Sequence, residues 1–255
     1  MVYLKYKTRI NLNQLMDYKY HGIILSKFDV AETDRIYTVY TLESGKIRLP
    51  AIGVKKPNAK LAGSLEPVTY AEIFCARSRG KGKITGVITV DNFSSLKGDI
   101  STLEKVFGAF RIFDRLVTEE EKDEKTFNLL LDYLQATERV SVERNDDFKK
   151  EIFTLGFIFK LLENLGYGLE IKECASCGKK LIPGGNYFSV AAGGILCLAC
   201  SLKESRKIKI EDDAIKFIRI ILENKLSNLG KIKTSEESVK NLKIIASEAV
   251  KWTAS

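Results

Sequence analysis

Four of the five cysteines stand in two C-x-x-C pairs, Cys174 with Cys177 and Cys197 with Cys200, separated by residues 178–196. This spacing is typical of a tetrahedral structural zinc site, because each C-x-x-C turn lets two sulfurs reach one ion. Four sulfur ligands leave no open position for water, so the sequence predicts a single Zn²⁺ that holds this segment folded rather than a catalytic ion. Unrelated buried thiols, or two disulfides, are the alternative interpretation.

The rest of the chain offers little material for catalysis. His21 is the single histidine, so a Ser/His or Cys/His pair is not indicated, and Cys75 lies in an apolar stretch that favours a core position. Neither G-x-x-x-x-G-K-[ST] nor G-x-G-x-x-G occurs. The acidic runs 119–121 and 146–147 leave a carboxylate–metal nuclease open, but they are more typical of solvated links and helix starts. The sequence therefore predicts a protein that is not an enzyme.

The excess of positive charge is confined to the N-terminal part of the chain. The formal net charge is +8; residues 1–98 hold 16 Lys+Arg and 8 Asp+Glu, and the remainder holds 25 of each. Such asymmetry predicts that the N-terminal part faces a polyanion, of which nucleic acid is the commonest. An acidic protein partner, a basic surface with no partner, and a zinc-ribbon adaptor that contacts only proteins are the alternatives.

The N-terminal part has the pattern of β-structure. Short runs rich in β-branched and aromatic residues are separated by turns, and Gly45 suits a tight hairpin. Five short strands in succession indicate a small closed barrel, although an SH3-like barrel or a split sheet fits the same pattern. The predicted strands are 18–26, 35–43, 46–54, 66–76 and 83–90.

After Lys97 the hydrophobic period changes from two to about 3.6, which is typical of helices. Ser101-x-x-Glu104 and Thr234-x-x-Glu237 have the form of capping boxes, and the strongest helical pattern, 147–165, stops at Gly166. The predicted fold class is therefore α+β. An N-terminal barrel domain over 1–97, with 1–17 as an extension, precedes a helical domain over 98–255, into which a zinc ribbon over 171–203 is inserted.

Neither a membrane span nor a secretory signal is expected. No apolar run approaches the ~18 residues that spanning a bilayer requires, and residues 1–16 are polar and basic. The sequence therefore predicts a cytoplasmic protein, in which thiols stay reduced.

Several segments, in order along the chain, resemble one family. The zinc region carries Cys174-Ala-Ser-Cys-Gly178, Tyr187-Phe-Ser189 and Ala192-Gly-Gly-Ile-Leu-Cys197, followed by Cys200. The N-terminal part carries Gly22-Ile-Ile-Leu25, Glu32-Thr-Asp-Arg35, Thr41-Leu-Glu-Ser-Gly-Lys46 and Gly53-Val-Lys-Lys-Pro57. Over roughly residues 18–250 the chain resembles the RecO family of bacterial DNA-repair proteins. It departs in Ala59, where the family often has serine, and in a basic loop that is rich in lysine rather than arginine.

The resemblance implies an N-terminal OB-fold, a helical domain and an inserted zinc ribbon. It also implies binding of single- and double-stranded DNA, annealing of complementary strands, and interaction with RecR and with the single-strand-binding protein through its C-terminal tail. These activities help RecA to load onto coated DNA, which places the protein at the nucleoid in the RecF pathway of recombination after DNA damage. The predicted DNA-binding cations on the barrel are Arg35, Lys46, Arg48, Lys55, Lys56, Lys60, Arg77, Arg79, Lys81 and Lys83.

OB-folds bind single strands in a charged groove lined by stacking aromatic rings. Tyr37 and Tyr40 are the candidate rings in the barrel segment. Because an odd number of positions separates them, they must face opposite sides of a regular strand. At most one can therefore face a groove, and the other is expected in the core.

Overall fold

The computed structural model of the protein describes residues 18–59, 61–76, 80–143 and 146–253. The predicted extension over residues 1–17 lies outside this part of the chain. Two compact units are separated between Asp91 and Asn92, whereas the sequence placed the division after Lys97.

The N-terminal unit is a five-stranded antiparallel sheet in the order β3-β2-β1-β4-β5. Strands β3 and β5, at the two edges, come close to each other, so that the sheet curls into an OB-like barrel. This agrees with the predicted fold class. A short 3₁₀ helix, Ala62–Ser64, precedes β4. The strands are β1 (Tyr18–Asp29), β2 (Arg35–Thr41), β3 (Gly45–Ala51), β4 (Thr69–Ala76) and β5 (Lys83–Asp91).

The core of the barrel comes from the inward-facing positions of these strands. In β4 the alternation is regular, with Ala71, Ile73 and Cys75 fully buried. Cys75 is therefore a core residue, as the sequence predicts. In β1, Gly22 permits a close approach, because an added Cβ would lie 2.4 Å from Cγ1 of Val39. A side chain at this position would push two neighbouring strands apart.

Strand β1 carries a bulge between Ile24 and Ser26. Ile24 lies opposite Val39 in β2, and Ser26 lies opposite Thr38, so Leu25 is the extra residue on β1. A bulge of one residue reverses which side of the strand the following side chains face. Beyond it, β1 continues to Asp29, further than the predicted end at residue 26, because residues 26–29 remain paired with β2.

The C-terminal unit is built around α4, which packs against α2, α3, α6, α7 and α8. Helix α4 is buried on nearly all sides, as a helix with apolar residues all round should be. Its Gly156 makes room for α7, since a Cβ there would lie 2.4 Å from Leu229. The helices are α1 (Ser94–Lys97), α2 (Ile100–Leu116), α3 (Glu124–Glu143), α4 (Asp147–Asn164), α5 (Leu198–Ser201), α6 (Asp212–Glu223), α7 (Leu226–Leu229) and α8 (Glu236–Thr253).

Helix α4 ends as the sequence predicts. Gly166 has φ +84°, in the left-handed region. The N–H of Gly166 donates to the carbonyl of Glu163 (3.1 Å), and the N–H of Tyr167 donates to that of Leu162 (2.8 Å). These two bonds form a Schellman motif, which stops the helix and turns the chain toward the cysteines.

The two predicted capping boxes were wrong in detail. Helix α2 begins at Ile100, and its N-cap is Asp99, whose carboxylate accepts from the N–H of Ser101 (3.1 Å). At α8 the capping oxygen is that of Ser235, which accepts from the N–H of Ser238 (3.1 Å), rather than that of Thr234. Asp99 and Ser235, like Ser101 and Thr234, have side chains that can cap a helix, so residue type alone left two neighbouring candidates at the start of each helix.

A small three-stranded sheet in the order β7-β6-β8 follows α4 within the same unit. Its strands are β6 (Tyr187–Ser189), β7 (Gly194–Leu196) and β8 (Ile208–Lys209), and Phe188 and Ile195 are fully buried between its turns. Across the described residues, no helix combines the length and the hydropathy that a membrane span requires.

Candidate metal centre and nucleic-acid interface

The four predicted zinc ligands lie together. The Sγ atoms of Cys174, Cys177, Cys197 and Cys200 are all within 4.8 Å of one another, and those of Cys177 and Cys197 are 4.0 Å apart. Four sulfurs around one zinc at about 2.3 Å stand about 3.8 Å apart in a regular tetrahedron. The donor set and its spacing therefore fit a zinc ion.

Backbone hydrogen bonds shape the first C-x-x-C turn. The N–H of Gly178 donates to the carbonyl of Cys174, and the N–H of Cys174 donates to that of Lys179, both at 2.8 Å. Gly178 has φ +69°, which favours glycine at the end of the turn. The N–H of Cys197 donates to Sγ of Cys174 (3.4 Å), which joins the two pairs directly.

These N–H groups also affect ionisation. Burial raises the pKa of the Cys174 thiol, but hydrogen bonds from the N–H groups of Cys197, Cys177 and Ser176 outweigh burial and lower it to about 6. A thiolate at this position is the form that binds a metal cation. The N–H groups around Sγ of Cys174 thus favour its thiolate form.

The chain before the first cysteine holds β7 in place. Gly194 forms a parallel bridge with Glu170, and the N–H of Ile195 donates to the carbonyl of Glu170 (2.8 Å). A Cβ at Gly194 would lie 2.2 Å from that carbonyl oxygen, so only glycine fits. On the other side, Arg219 of α6 donates from Nε (3.0 Å) and Nη2 (2.6 Å) to the carbonyl of Ile171.

A second anchor joins the ribbon to the start of α6. Oδ2 of Asp212 accepts from the N–H of Gly184 (2.8 Å), and its Oδ1 accepts from Nδ2 of Asn186 (3.2 Å). Asn186 is buried and also donates to the carbonyl of Ile182 (2.8 Å). The ribbon is therefore fixed to the helical unit by Arg219 and Asp212 as well as by its own sheet.

Three predicted DNA-binding cations gather at one end of the barrel. Nε of Arg35 lies 2.6 Å from Oδ1 of Asp29, and Nζ of Lys55 lies 2.8 Å from Oδ2 of the same residue. Hydrogen bonds from Lys55 and Arg35 lower the pKa of Asp29. Lys56 is exposed in the same segment, which is tied to the β1–β2 loop by the N–H of Gly53 donating to Asp34 (2.7 Å).

The other predicted cations lie elsewhere on the barrel. Lys46 and Arg48 are on the outer face of β3, opposite Tyr40 and Thr38, and only Arg48 is well exposed. Lys81 and Lys83 lie at the β4–β5 turn, near the start of β1, whereas Asp29 ends that strand. Lys60, Arg77 and Arg79 lie outside the described residues. A DNA contact by any of the ten stays a prediction.

The two candidate tyrosines do face opposite sides of β2, since Tyr37 pairs with Leu49 and Tyr40 with Lys46. Both are fully buried, so neither offers a ring to solvent. Burial raises the pKa of Tyr37. The aromatic side chain that sequence reasoning missed is Phe28, near the end of β1, which is 71% exposed.

His21 lies on the surface of the sheet, between two carboxylates. Its Nδ1 lies 2.6 Å from Oε1 of Glu43, and its Nε2 lies 3.3 Å from Oε1 of Glu72, which also pairs with Lys19 (2.9 Å). The ring therefore connects the β2–β3 turn, through Glu43, to β4, through Glu72. Its neighbours are charged side chains on the surface of the sheet.

An OB-like barrel followed by a helical unit that carries a four-cysteine ribbon is the combination of domains that the resemblance to the RecO family implies. The models of two family domains match the chain: "Recombination protein O N terminal" over residues 16–93 and "Recombination protein O C terminal" over residues 109–254. The chain therefore belongs to the RecO family.

Curated relatives carry the name "DNA repair protein RecO". That of Dehalococcoides mccartyi (strain 195) is 32% identical over 228 residues, which cover 89% of this chain and 87% of the relative. That of Desulforamulus reducens is 29% identical, covering 86% and 82%, and that of Bacillus subtilis (strain 168) is 27% identical, covering 88% and 85%. The similarity therefore spans both units of the chain.

Proposed function

We propose that this protein is a DNA-repair and recombination mediator that binds single- and double-stranded DNA and anneals complementary strands. With RecR, it would help RecA to load onto DNA that is covered by the single-strand-binding protein. The main support is the joint match of both units to one family whose curated members are named for DNA repair. The work requires no bond chemistry and no catalytic residue.

The proposed mechanism is electrostatic. Cations on the barrel would neutralise phosphates and release counterions, which lets two strands approach despite their mutual repulsion. The group formed by Arg35, Lys55 and Lys56 supports this account, because it brings three cations together at one end of the barrel, two of them on the carboxylate of Asp29 and the third near that of Asp34. If about six phosphates on a single strand are contacted, log K should fall with log salt with a slope of roughly −4.

The zinc ion is part of the proposal. The four cysteines would hold one Zn²⁺, which supplies only the cross-link that keeps the ribbon folded. With four thiolate ligands, no coordination position is left for water, so the ion would be structural rather than catalytic.

A binding test with a matched control decides the case. We expect charge reversal at Lys55, Lys56 and Lys60 to weaken DNA binding and annealing, and to reduce the salt slope by about 2 if three phosphate contacts are lost. The control reverses three exposed lysines of the helical unit, Lys216, Lys233 and Lys240, and so changes net charge equally. Equal loss in both variants, or loss in neither, would contradict a barrel-specific site and favour an adaptor that contacts only proteins.

The same preparation separates the mediator from a nuclease. We expect accelerated pairing of complementary strands, without cleavage, when labelled DNA is incubated with Mg²⁺ or Mn²⁺. Cleavage of the labelled strand would favour the nuclease instead.

In this proposal, the tail of the single-strand-binding protein would bind in a groove on the helical unit. The cavity of about 540 Å³ lies between the ribbon and α8, with Phe188, Ile208, Ile244 and Trp252 among its apolar lining. Arg206 and Lys207 line it as cations, and Lys251 lines it paired with Glu248 (2.6 Å). An acidic tail with an apolar end would match this combination. We expect a labelled peptide of that tail to bind the wild type and to lose affinity for Arg206→Glu; unchanged affinity would place the tail elsewhere.

A further inference from the structure

The outer face of the barrel carries a row of apolar side chains at one end. Phe28 of β1 lies directly opposite Ile36 of β2, which lies opposite Pro50 of β3. Directly opposite residues share a face of the sheet. Phe28 is 71% exposed, and Ile52, just beyond β3, is 64% exposed, whereas Ile36 and Pro50 are half-buried.

The bulge at Leu25 is the reason that Phe28 points outward. Ile24 is part of the barrel core, and regular alternation would turn residues 26 and 28 inward as well. The extra residue reverses the alternation, so Ser26 pairs with Thr38 and Phe28 with Ile36 on the outer face. Inward-facing Tyr37 instead lies opposite Lys27.

Cations border this row. Arg48 lies one row away on the same face, opposite Thr38. Asp29, the next residue after Phe28, holds Arg35 and Lys55 at the adjacent rim. An exposed ring beside cations is the combination that proteins use for single strands, in which bases stack on the ring while phosphates meet the charges.

We propose that Phe28 is the stacking platform for an unpaired base of single-stranded DNA, with Ile36 and Pro50 supporting the same base edge. This inference rests on the proposed DNA-binding function and adds a source of preference for single strands. The bases of a duplex are already stacked on each other and cannot lie flat on the ring. The barrel would thus grip both forms through phosphates and distinguish the single strand through Phe28.

The first test compares Phe28→Ala with Ile88→Ala. Ile88 is an apolar residue on β5 that is 56% exposed. The probes are a labelled oligothymidylate and a labelled duplex of equal length. We expect Phe28→Ala to bind the oligothymidylate about 5- to 150-fold more weakly than the wild type, the range expected for one lost stacking contact. Binding of the duplex should be unchanged, and Ile88→Ala should behave as the wild type with both probes.

A second readout does not depend on affinity. Trp252 is the single tryptophan of the chain, so Trp252→Phe provides a silent background. In that background, we expect the fluorescence of Phe28→Trp to be quenched by the oligothymidylate, because the base stacks on the indole. The matched reporter Ile88→Trp should not respond.

The outcomes separate this inference from the proposed function. Suppose that the wild type binds both probes, and that Phe28→Ala either keeps the wild-type affinity for both or loses affinity for both by the same factor. The stacking role is then wrong, and DNA binding stands. Loss of binding to a protein partner with DNA affinity unchanged would assign the row to protein docking instead. If the wild type binds neither probe, the proposed function fails and the platform fails with it.

Discussion

The ammonium of Lys150, which is fully buried, lies 2.8 Å from Oδ2 of Asp99 and 2.6 Å from the hydroxyl of Thr102. Lys150 belongs to α4 and Asp99 caps α2, so one carboxylate both begins a helix and neutralises a cation beneath it. Asp147 lies further away, at 3.7 Å.

The pair predicts an asymmetry between its two members. Removing Asp99 leaves a buried ammonium without its main partner, so we expect Asp99→Ala to lower the free energy of unfolding by about 3–5 kcal/mol. Lys150→Met keeps similar volume, and Asp99 can still cap α2, so the expected loss is below about 1.5 kcal/mol. Urea unfolding of both variants, with zinc present, measures the difference. Equal losses would mean that the pair is not the dominant interaction at this position.

The same pair predicts a pH dependence. The hydrogen bond from Lys150, followed by that from Thr102, lowers the pKa of Asp99 from 3.8 to about 2. A depressed carboxyl pKa stabilises the fold fully above the unfolded value and loses this contribution as the pH falls toward the folded value. We therefore expect the stability advantage of the wild type over Asp99→Asn to shrink between about pH 4 and pH 2. Thermal midpoints of both proteins across this range test it; an advantage that is constant down to about pH 2 would contradict it.

The ribbon predicts one metal ion per chain. After dialysis, we expect elemental analysis to find about one zinc per wild-type chain and markedly less in Cys197→Ser, because removing one thiolate opens the tetrahedron. Cys75→Ser is the matched control, since Cys75 is fully buried in the barrel, away from the four ligands. Retention of zinc by Cys197→Ser at the wild-type level would exclude the four-thiolate site.

Gly194 and Gly193 are neighbours with different constraints. Gly193 has φ +70° with open space around its Cβ direction, so Gly193→Ala should cost only the left-handed strain of about 1–2 kcal/mol. Gly194→Ala would force the Glu170 backbone away and break its bond with Ile195. We expect Gly194→Ala to lose zinc to a competing chelator well before Gly193→Ala does. The same rate of loss in both variants would show that this close approach does not hold the metal site.

The spacing of residues predicted the parts of the molecule that depend on local patterns. The two C-x-x-C pairs indicated a metal site, and the four sulfurs do converge. The apolar spacing of α4 and its end at Gly166 were likewise predictable, because helical spacing of apolar residues and a glycine that ends a helix are local properties of the sequence.

What the sequence could not give depends on contacts between distant segments. Asp99 is chosen over Ser101 as the cap of α2 because Lys150, far along the chain, also requires that carboxylate. The exposure of Phe28 depends on a bulge that no residue type marks, because Leu25 fits a regular strand as well as a bulged one. The location of the predicted cations depended on strand register. It placed Lys81 near the start of β1, and placed Arg35 and Lys55, which pair with Asp29, near the end of β1.

Because the ribbon is tied to α4 and α6, oxidation of one of its cysteines would affect those helices as well. The segment holding β7 follows directly from the end of α4, and Arg219 and Asp212 tie the ribbon to α6. Oxidation of the exposed Cys177 would therefore not stay confined to a peripheral loop. Faster amide hydrogen exchange should follow at the last turn of α4 and the first turn of α6. The oxidation state of one thiol would thus change the local stability of the helical unit.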